Sequence, residues 1–394
     1  PIQTEVEKYK NLYNIILMKD GDVFLLAEDS NNELNLTNTS GKVTSYAISN
    51  DRQFLAYTTT DPTSVQHIIN QLPAAKYTPN QRVGTKMFIK DLNTNTETKL
   101  LDSEDLIIPK QQLNYYEEKL LSNNGISIYS FSSDDRFILY YRLGLYAYDV
   151  IANQVINFTN YTISDQSRCT VDEIESESIY VGVNINCGSG TEWHIFKYDN
   201  NNFNKINLST LNLPMDTHHA NPKDGSYYLL EDLYNDKYAL LVVSYSPYMP
   251  YDDNSLLATR VKKLNLETRE IQDVNINVST KYRYQDQWHN FAMIDNQIYA
   301  STYKIIGQLQ TNGSMSTLVD LNSINNSNDG TFRILNYFLN SNKTKVLIMT
   351  RMQSRSNLQV HNNIESLYLM DLISGQIKNI YTAPDGYTTK SMWF

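Results

Sequence analysis

The stretch "SIYSFSSDDRFILYYRLGLYAYDVIANQVINFT" (127–159) contains four short segments in which apolar and polar residues alternate, separated by polar turns. Alternation with a period of two is typical of half-buried β-strands, and Ser, Asp, Asn and Gly favour the tight turns between them. The stretch therefore predicts one four-stranded antiparallel unit, whose strands we label a to d in chain order.

Similar units recur along the chain. The c–d hairpin is found as "VFLLAEDSNNELNLT" (23–37), "MFIKDLNTNTETKLL" (87–101), "LYAYDVIANQVINFT" (145–159), "HIFKYDNNNFNKINL" (194–208), "RVKKLNLETREIQDV" (260–274), "KIIGQLQTNGSMSTLV" (304–319) and "LYLMDLISGQIKNIYT" (367–382). An a–b hairpin such as "TSYAISNDRQFLAYTT" (44–59) precedes most of these copies. In four of them an Asp ends strand c, and we expect it to bind backbone groups of the following turn. These are Asp91, Asp149, Asp199 and Asp371.

The spacing of the units predicts the fold. The c–d hairpins start 44 to 66 residues apart, and four short strands repeated at a period of roughly 40–50 residues are the mark of a β-propeller blade. The sequence thus predicts an all-β chain that forms one domain over residues 1–394, a seven-bladed β-propeller of four-stranded antiparallel blades. Eight blades remain an alternative, because 227–274 contains enough strand sequence for ambiguity.

The two ends of the chain complement each other. The first c–d hairpin is preceded by only one strand, "LYNIILM" (12–18), whereas "TTKSMWF" (388–394) is left over after the last hairpin. We expect 388–394 to complete blade one as its strand a beside 12–18, because closing the ring removes the exposed edges of an open array.

Two segments resemble a known family. "ISNDRQFLAYTTT" (48–60) and "FSSDDRFILYYRLGLYAYDV" (131–150) are similar to the repeat of TolB-type propellers, Ser-x-Asp-Gly-x-x-Ile-Ala-Tyr followed by Leu-Tyr-x-x-Asp. That WD-repeat-like unit also occurs in the N-terminal propeller domains of the dipeptidyl peptidase IV and prolyl oligopeptidase group. Here Asn-Asp or Asp-Asp replaces the usual Asp-Gly. The resemblance implies a propeller, in a family whose members are mostly exported.

Composition limits the partners. The net charge is −10 and the pI is about 5.1, which argues against nucleic acid, since that partner needs a basic face. The sequence has no apolar run long enough for a transmembrane segment. Cys169 and Cys187 lie 18 residues apart, and either a disulfide or two free thiols would fit. The Tyr- and Asn-rich composition, the start at Pro1 and the family resemblance lead us to expect a secreted, periplasmic or cell-surface location.

The long connections predict the binding surface. The b–c and d–a loops leave the same face of a propeller, and this chain places its extra length in such loops, at about 61–85, 102–125, 209–225, 246–255 and 353–365. Long loops on one side of a rigid scaffold are commonly where binding occurs.

Three loop motifs on this face combine aromatic and charged residues, which suits contact with a protein or a glycan. They are "MDTHHANP" (215–222), "YMPYDDN" (248–254) and "KYRYQDQW" (281–288). Solvated loops would look the same, and adjacent histidines do not easily share one metal ion, so we predict no metal site and no cofactor. The candidate binding residues are His218, His219, Tyr248, Tyr251, Asp252, Asp253, Tyr282, Arg283 and Tyr284.

Enzyme signatures are missing from the sequence. It has no G-x-S-x-G nucleophile elbow, no P-loop, no G-x-G-x-x-G after a strand and no H-E-x-x-H. The chain is therefore predicted to be a non-enzymatic binding or assembly module. One alternative is a glycan-acting enzyme whose acidic residues converge at the channel mouth from several blades. Another is a propeller that gates a separate peptidase subunit, which predicts a large apolar patch on one face.

Overall fold

The structure is a computed structural model. It describes residues 13–28, 32–71, 83–102, 125–142, 144–159, 169–187, 190–208, 211, 226–245, 261–276, 288–321, 330–340, 342–354, 363–383 and 392–393.

The described chain consists almost entirely of short β-strands, in agreement with the prediction of an all-β protein. In chain order the strands are β1 (Tyr13–Lys19), β2 (Asp22–Ala27), β3 (Glu33–Asn35), β4 (Val43–Ile48), β5 (Phe54–Thr59), β6 (Lys86–Asp91), β7 (Thr96–Asp102), β8 (Ser127–Phe131), β9 (Phe137–Tyr141), β10 (Leu145–Asp149), β11 (Gln154–Thr159), β12 (Cys169–Ser176), β13 (Tyr180–Cys187), β14 (Gly190–Asp199), β15 (Asn202–Lys205), β16 (Ser226–Tyr234), β17 (Tyr238–Tyr245), β18 (Val261–Asn265), β19 (Ile271–Val274), β20 (His289–Ile294), β21 (Gln297–Ser301), β22 (Ile305–Leu309), β23 (Met315–Asp320), β24 (Gly330–Leu339), β25 (Lys345–Ser354), β26 (Asn363–Asp371), β27 (Ile377–Thr382) and β28 (Met392–Trp393).

The strands form antiparallel four-stranded meanders, as the repeats predict. The first meander has the order β28-β1-β2-β3, and the second is β4 to β7 in sequence order. The fifth, sixth and seventh meanders are β16–β19, β20–β23 and β24–β27. The third (β8–β11) and fourth (β12–β15) are joined into one sheet of eight strands. This arrangement of meanders is that of a β-propeller.

The eight-stranded sheet arises at the outer edges of two consecutive meanders. The last strand of the third, β11, pairs in parallel with the last strand of the fourth, β15, through Phe158↔Phe203 and Thr159↔Asn204. The rings of Phe158 and Phe203 stack with centroids 4.5 Å apart. The sequence did not predict this pairing, because each outer strand on its own looks like an ordinary edge strand.

The strand at the end of the sequence pairs with the first described strand. β28 is antiparallel to β1, with Ile15 opposite Trp393 and Ile16 opposite Met392. The predicted closure is therefore confirmed for the two residues of 388–394 that the structure describes.

Asx turns end strand c. Asp91, Asp149 and Asp371 each accept hydrogen bonds from the backbone N–H groups two and three residues later, at 2.7 to 3.1 Å. The carboxylate thus satisfies donors that the turn removes from the ladder. This confirms the structural role that the sequence predicts for these three residues.

Apolar clusters fill the spaces between consecutive meanders, so most sheets bury both faces. One pair from each cluster illustrates the sequence of contacts: Ile16 and Val43, Ala56 and Ile138, Phe158 and Phe196, Trp193 and Leu230, Val242 and Phe291, Ile306 and Ile348, and Leu17 and Leu367. The last cluster joins the seventh meander to the first. At the closest approach, a Cβ added to Gly182 would lie 2.1 Å from Leu230 Cδ2.

One helix, α1 (Pro62–Gln71), lies in the b–c connection of the second meander. Asp61 caps it and Pro62 takes its first position, which is a common helix start. The Asp61 carboxylate also binds Lys86 Nζ at 2.8 Å. The sequence analysis treated 61–85 as a loop and so missed this signal. None of the described helices is long and apolar enough to cross a membrane.

Candidate functional site

The predicted binding residues lie outside the described part of the chain. This applies to all nine, namely His218, His219, Tyr248, Tyr251, Asp252, Asp253, Tyr282, Arg283 and Tyr284. The strands that flank their loops are described, however, and they fix the face from which these loops leave.

Short turns from neighbouring meanders contact each other. Every a–b and c–d connection between covalently consecutive strands has two to five residues. The contacts are Asn50 N with Asp135 Oδ1 at 2.5 Å, Ser133 Oγ with Glu177 Oε2 at 3.0 Å, Ile179 N with Asp236 Oδ1 at 3.3 Å, Asn235 Nδ2 with Asn296 Oδ1 at 3.2 Å and Lys343 Nζ with Asp295 Oδ2 at 3.0 Å. Lys345 and Glu28 form an ion pair at the same strand ends, between the seventh and first meanders. The short turns therefore share one face, which we call the short-turn face.

The long connections begin and end at the opposite strand ends. They include the b–c segments 60–85, 246–260 and 355–362 and the d–a segments 103–126, 206–225 and 275–288. Because the short turns meet on one face, these strand ends lie on the other, which we call the long-loop face.

The innermost strands all carry an irregularity at a corresponding position. In six meanders the pairing of strand a with strand b shifts register by a β-bulge. The shifts fall at Val43/Ser45, Ile128/Ser130, Val171/Glu173, Leu230/Asp232, His289/Ala292 and Ile334/Asn336. A bulge bends the strand and re-aims the side chains beside it.

Side chains at or near these bulges bind the backbone of the neighbouring inner strand. The bonds are Ile128 N to Ser45 Oγ at 2.9 Å, Tyr129 Oη to Val171 O at 3.0 Å, Phe291 N to Glu231 Oε2 at 3.1 Å, Met293 N to Asp232 Oδ2 at 2.6 Å and Asn290 Nδ2 to Leu335 O at 3.0 Å. The inner strand is the open edge of each sheet, so its main-chain groups need partners from outside the sheet. We call this set of contacts the inner collar.

Two carboxylates belong to the inner collar. Glu231 and Asp232 are consecutive on β16, and both accept backbone N–H groups of β20. The dispersed-site enzyme alternative predicts converging carboxylates in this region, and these two have a structural use instead. Burial, followed by the charges of Asp232 and Glu231, raises the pKa of the nearby Tyr337 phenol well above its usual value.

A second acidic pair joins the fourth and fifth meanders on the short-turn face. Glu177 accepts Ser133 Oγ, while Asp236 accepts Ile179 N. Burial raises the pKa of Glu177, and the charge of Asp236 raises it further, against the hydrogen bonds that Glu177 accepts. This pair also holds turns together. Within the described ranges, no three His, Cys, Asp or Glu side chains come together as a metal site requires.

The described surface has few exposed large apolar side chains. Ile151, Val155 and Ile373 are 80%, 43% and 81% exposed, and Ile151 and Ile373 occupy c–d turns on the short-turn face. Single exposed residues of this kind are ordinary. The described residues therefore give no support to the gating alternative, which predicts a contiguous apolar patch.

The sequence analysis did not anticipate the inner collar. No local motif marks a β-bulge, and Ser45, Tyr129, Glu231 and Asn290 share no residue type. Only their common place in strand a, before the a–b turn, could have indicated it.

The chain is similar in fold to several solved propellers. The sequence matches no protein-family model and no curated protein. The β-propeller domain of the trilobed protease from Pyrococcus furiosus is 11% identical, with a TM-score of 0.47, over 93% of this chain and 91% of that one.

TolB from Acinetobacter baumannii is 12% identical, with a TM-score of 0.41, over 99% of this chain and 70% of that one. Prolyl oligopeptidase B from Galerina marginata is 10% identical, with a TM-score of 0.49, over 98% of this chain and 53% of that one. This chain thus spans about half the length of that peptidase. TolB and a prolyl oligopeptidase are both among the similar structures, as the repeats predict.

Proposed function

We propose that residues 1–394 form a single seven-bladed β-propeller that works as a non-enzymatic binding or assembly module through its long-loop face. The observation that carries the proposal is the asymmetry of the connections. Those on the short-turn face have at most five residues, whereas several on the long-loop face have more than a dozen. Long loops on a rigid scaffold supply binding surfaces in many folds.

The contacts between meanders support seven blades. Each apolar cluster joins two consecutive meanders, and the seventh meander meets the first through Leu367 and Leu17. The eight-stranded sheet counts as two blades, because β11 and β15 touch through only two residue pairs at their outer edges. Residues 227–274, the source of the eight-blade alternative, contribute strands to a single four-stranded sheet, β16–β19.

The inner collar supports a binding role over a dispersed active site. A general acid or a nucleophile needs a carboxylate that is free to exchange protons or to attack. Glu231 and Asp232 are occupied by backbone donors, which favour the ionised form. Their arrangement fits a part that keeps the blades in place.

The partner we propose is a protein or a glycan outside the cytoplasm. The acidic net charge of −10 opposes nucleic acid. Aromatic and charged residues in 248–254 and 281–288 supply the mixture that protein and sugar surfaces use. Secretion or periplasmic location also fits the two cysteines, which occupy facing positions on β12 and β13.

Site-specific photo-crosslinking tests the proposal. A crosslinking amino acid is placed at Tyr251 on the long-loop face, and at Ile373 on the short-turn face as the matched control. Both variants are exposed to the extracytoplasmic extract and to a glycan array. We expect one discrete adduct, or one glycan class, that needs the long-loop face and disappears in Tyr251→Ala. Equal labelling from both positions, or labelling only from Ile373, would contradict the proposal.

A further inference from the structure

Three charged side chains form a row across the seventh meander. Arg333 on β24 lies opposite Arg351 on β25, and Arg351 lies opposite Glu365 on β26. Side chains at directly opposite positions project from the same side of a sheet. Leu347 and Leu367 share this side and pack against the first meander, so the row faces the first meander at the end nearest the long-loop face.

Two members of the row neutralise each other. Arg351 donates from Nε at 3.0 Å, and also from Nη2, to Glu365 Oε1. The Glu365 side chain is only 1% exposed, and that of Arg351 is 22% exposed. This is a buried charge-assisted pair of the kind that fixes both side chains.

Arg333 has no such partner among the residues that the structure describes. Its Nε–H is buried and has no hydrogen-bond acceptor within the described ranges. Its backbone neighbour is held in place, because Ile334 N donates to Tyr303 O at 2.8 Å. A buried donor without an acceptor costs free energy, and like charges directly opposite each other on a sheet add to that cost.

We propose that Arg333 and Arg351 hold a carboxylate group at the long-loop end of the interface between the seventh and first meanders. The guanidinium fork matches the two oxygens of a carboxylate. The row of two arginines and one glutamate carries one net positive charge, which a single carboxylate neutralises and a phosphate dianion overshoots. The ligand would give the Arg333 Nε–H its acceptor and relieve the repulsion between the two arginines.

This inference rests on the proposed function for its location and names one chemical group that the long-loop face would recognise. The group belongs either to a small organic acid or to the free C-terminus of a peptide. Both offer the same two oxygens, and they differ in whether the rest of the ligand adds affinity.

The test measures binding by isothermal titration calorimetry at constant ionic strength. The probes are acetate and one short apolar peptide, prepared with a free and with an amidated C-terminus. The variants are Arg333→Gln, which removes the charge, and Arg333→Lys, which keeps it. The matched control is Arg269→Gln, because Arg269 Nη1 is also buried without a partner among the described residues but belongs to a c–d turn on the short-turn face.

We expect the wild type to bind a carboxylate probe, and Arg333→Gln to weaken that binding at least about tenfold, a factor that corresponds to about 1.4 kcal/mol. Arg333→Lys should lose less, and Arg269→Gln should bind like the wild type. Preference for the free over the amidated peptide identifies a peptide terminus, and equal affinity for acetate identifies a small acid.

Absence of carboxylate binding by the wild type would overturn the inference, as would unchanged binding by Arg333→Gln. Either failure leaves the proposed function standing, because crosslinking from Tyr251 does not depend on Arg333. Should Arg333→Gln not fold, chemical-shift perturbation of wild-type arginine Nε–H signals by acetate provides the same decision.

Discussion

Replacing Asp232 with Ala should destabilise the protein by removing an inner-collar contact. Met293 N lies 2.6 Å from Asp232 Oδ2, and the Ala variant leaves this N–H without that acceptor. An unsatisfied buried donor costs about 1–3 kcal/mol, and bonds to charged acceptors lie in the upper part of that range. We therefore expect Asp232→Ala to lower the free energy of unfolding by about 2 kcal/mol.

The neighbouring carboxylate provides a graded comparison. Glu231 Oε2 accepts Phe291 N over 3.1 Å, a longer and hence weaker bond. Glu231→Ala should cost about 1 kcal/mol. The amide variants Asp232→Asn and Glu231→Gln retain a carbonyl oxygen at nearly the same place, so each should cost less than its Ala counterpart.

Urea denaturation near neutral pH measures these differences. The unfolding midpoint should fall while the slope against urea stays constant, since the same surface is exposed on unfolding. Asp273→Ala is the matched control. Asp273 also accepts a bond, from Lys262, but its side chain is 83% exposed, so the change should stay within about 0.5 kcal/mol.

Two results would refute the reasoning. If Asp232→Ala and Asp232→Asn cost the same, the backbone bond is not what Asp232 supplies. If Asp232→Ala retains full stability but abolishes a binding or hydrolytic activity, the carboxylate serves the ligand and not the collar.

Three further predictions concern the contacts around the third and fourth meanders. Burial alone would raise the pKa of Asp149, but the Arg136 guanidinium and two turn N–H groups hold it below its usual value; Asp149→Asn should therefore cost about 2 kcal/mol at neutral pH. The loss should shrink as the pH falls below about 4, because a depressed folded-state pKa stabilises only above the unfolded-state value, and a pH-independent loss in urea titrations would contradict this. Gly182→Ala places a methyl group 2.1 Å from a buried leucine methyl and should cost about 1–3 kcal/mol in thermal or urea unfolding; wild-type stability would mean that the sheets are not that close. Cys169 and Cys187 are directly opposite on β12 and β13, so protein from an oxidising medium should show no free thiols on denaturation until it is reduced, and two thiols without reduction would contradict a cross-strand disulfide.

The repetitive part of the fold could be predicted from the sequence. Strands such as β9, with "FILYY", and turns such as 150–153 are determined by local alternation and by an Asp that caps the turn. The closing strand was predictable because a missing strand at one end matched a spare one at the other.

Contacts between meanders could not be predicted in the same way. The parallel pairing of Phe158 with Phe203 and the fit of Leu230 against Gly182 depend on two segments far apart in sequence. A single sequence specifies each strand without specifying which neighbour its face will meet. Helix α1 was different, since Asp61 and Pro62 gave a local signal that the loop interpretation overlooked.

For the candidate site, the sequence predicted a face more readily than residues. Strand order and loop length determine which ends carry the long connections. The inner collar and the row from Arg333 to Glu365 depend on register and on bulges, which follow from tertiary packing and leave no spacing pattern to read.

Native-state hydrogen exchange of β1 tests the closed ring most directly. In the full chain, β1 lies between β2 and β28, and its amides near Ile15 and Ile16 should exchange only through global unfolding. In a chain that ends at residue 387, β1 becomes an open edge, and we expect the amides directed away from β2 to lose most of their protection. Equal protection of these amides in both chains would contradict closure by the C-terminal strand.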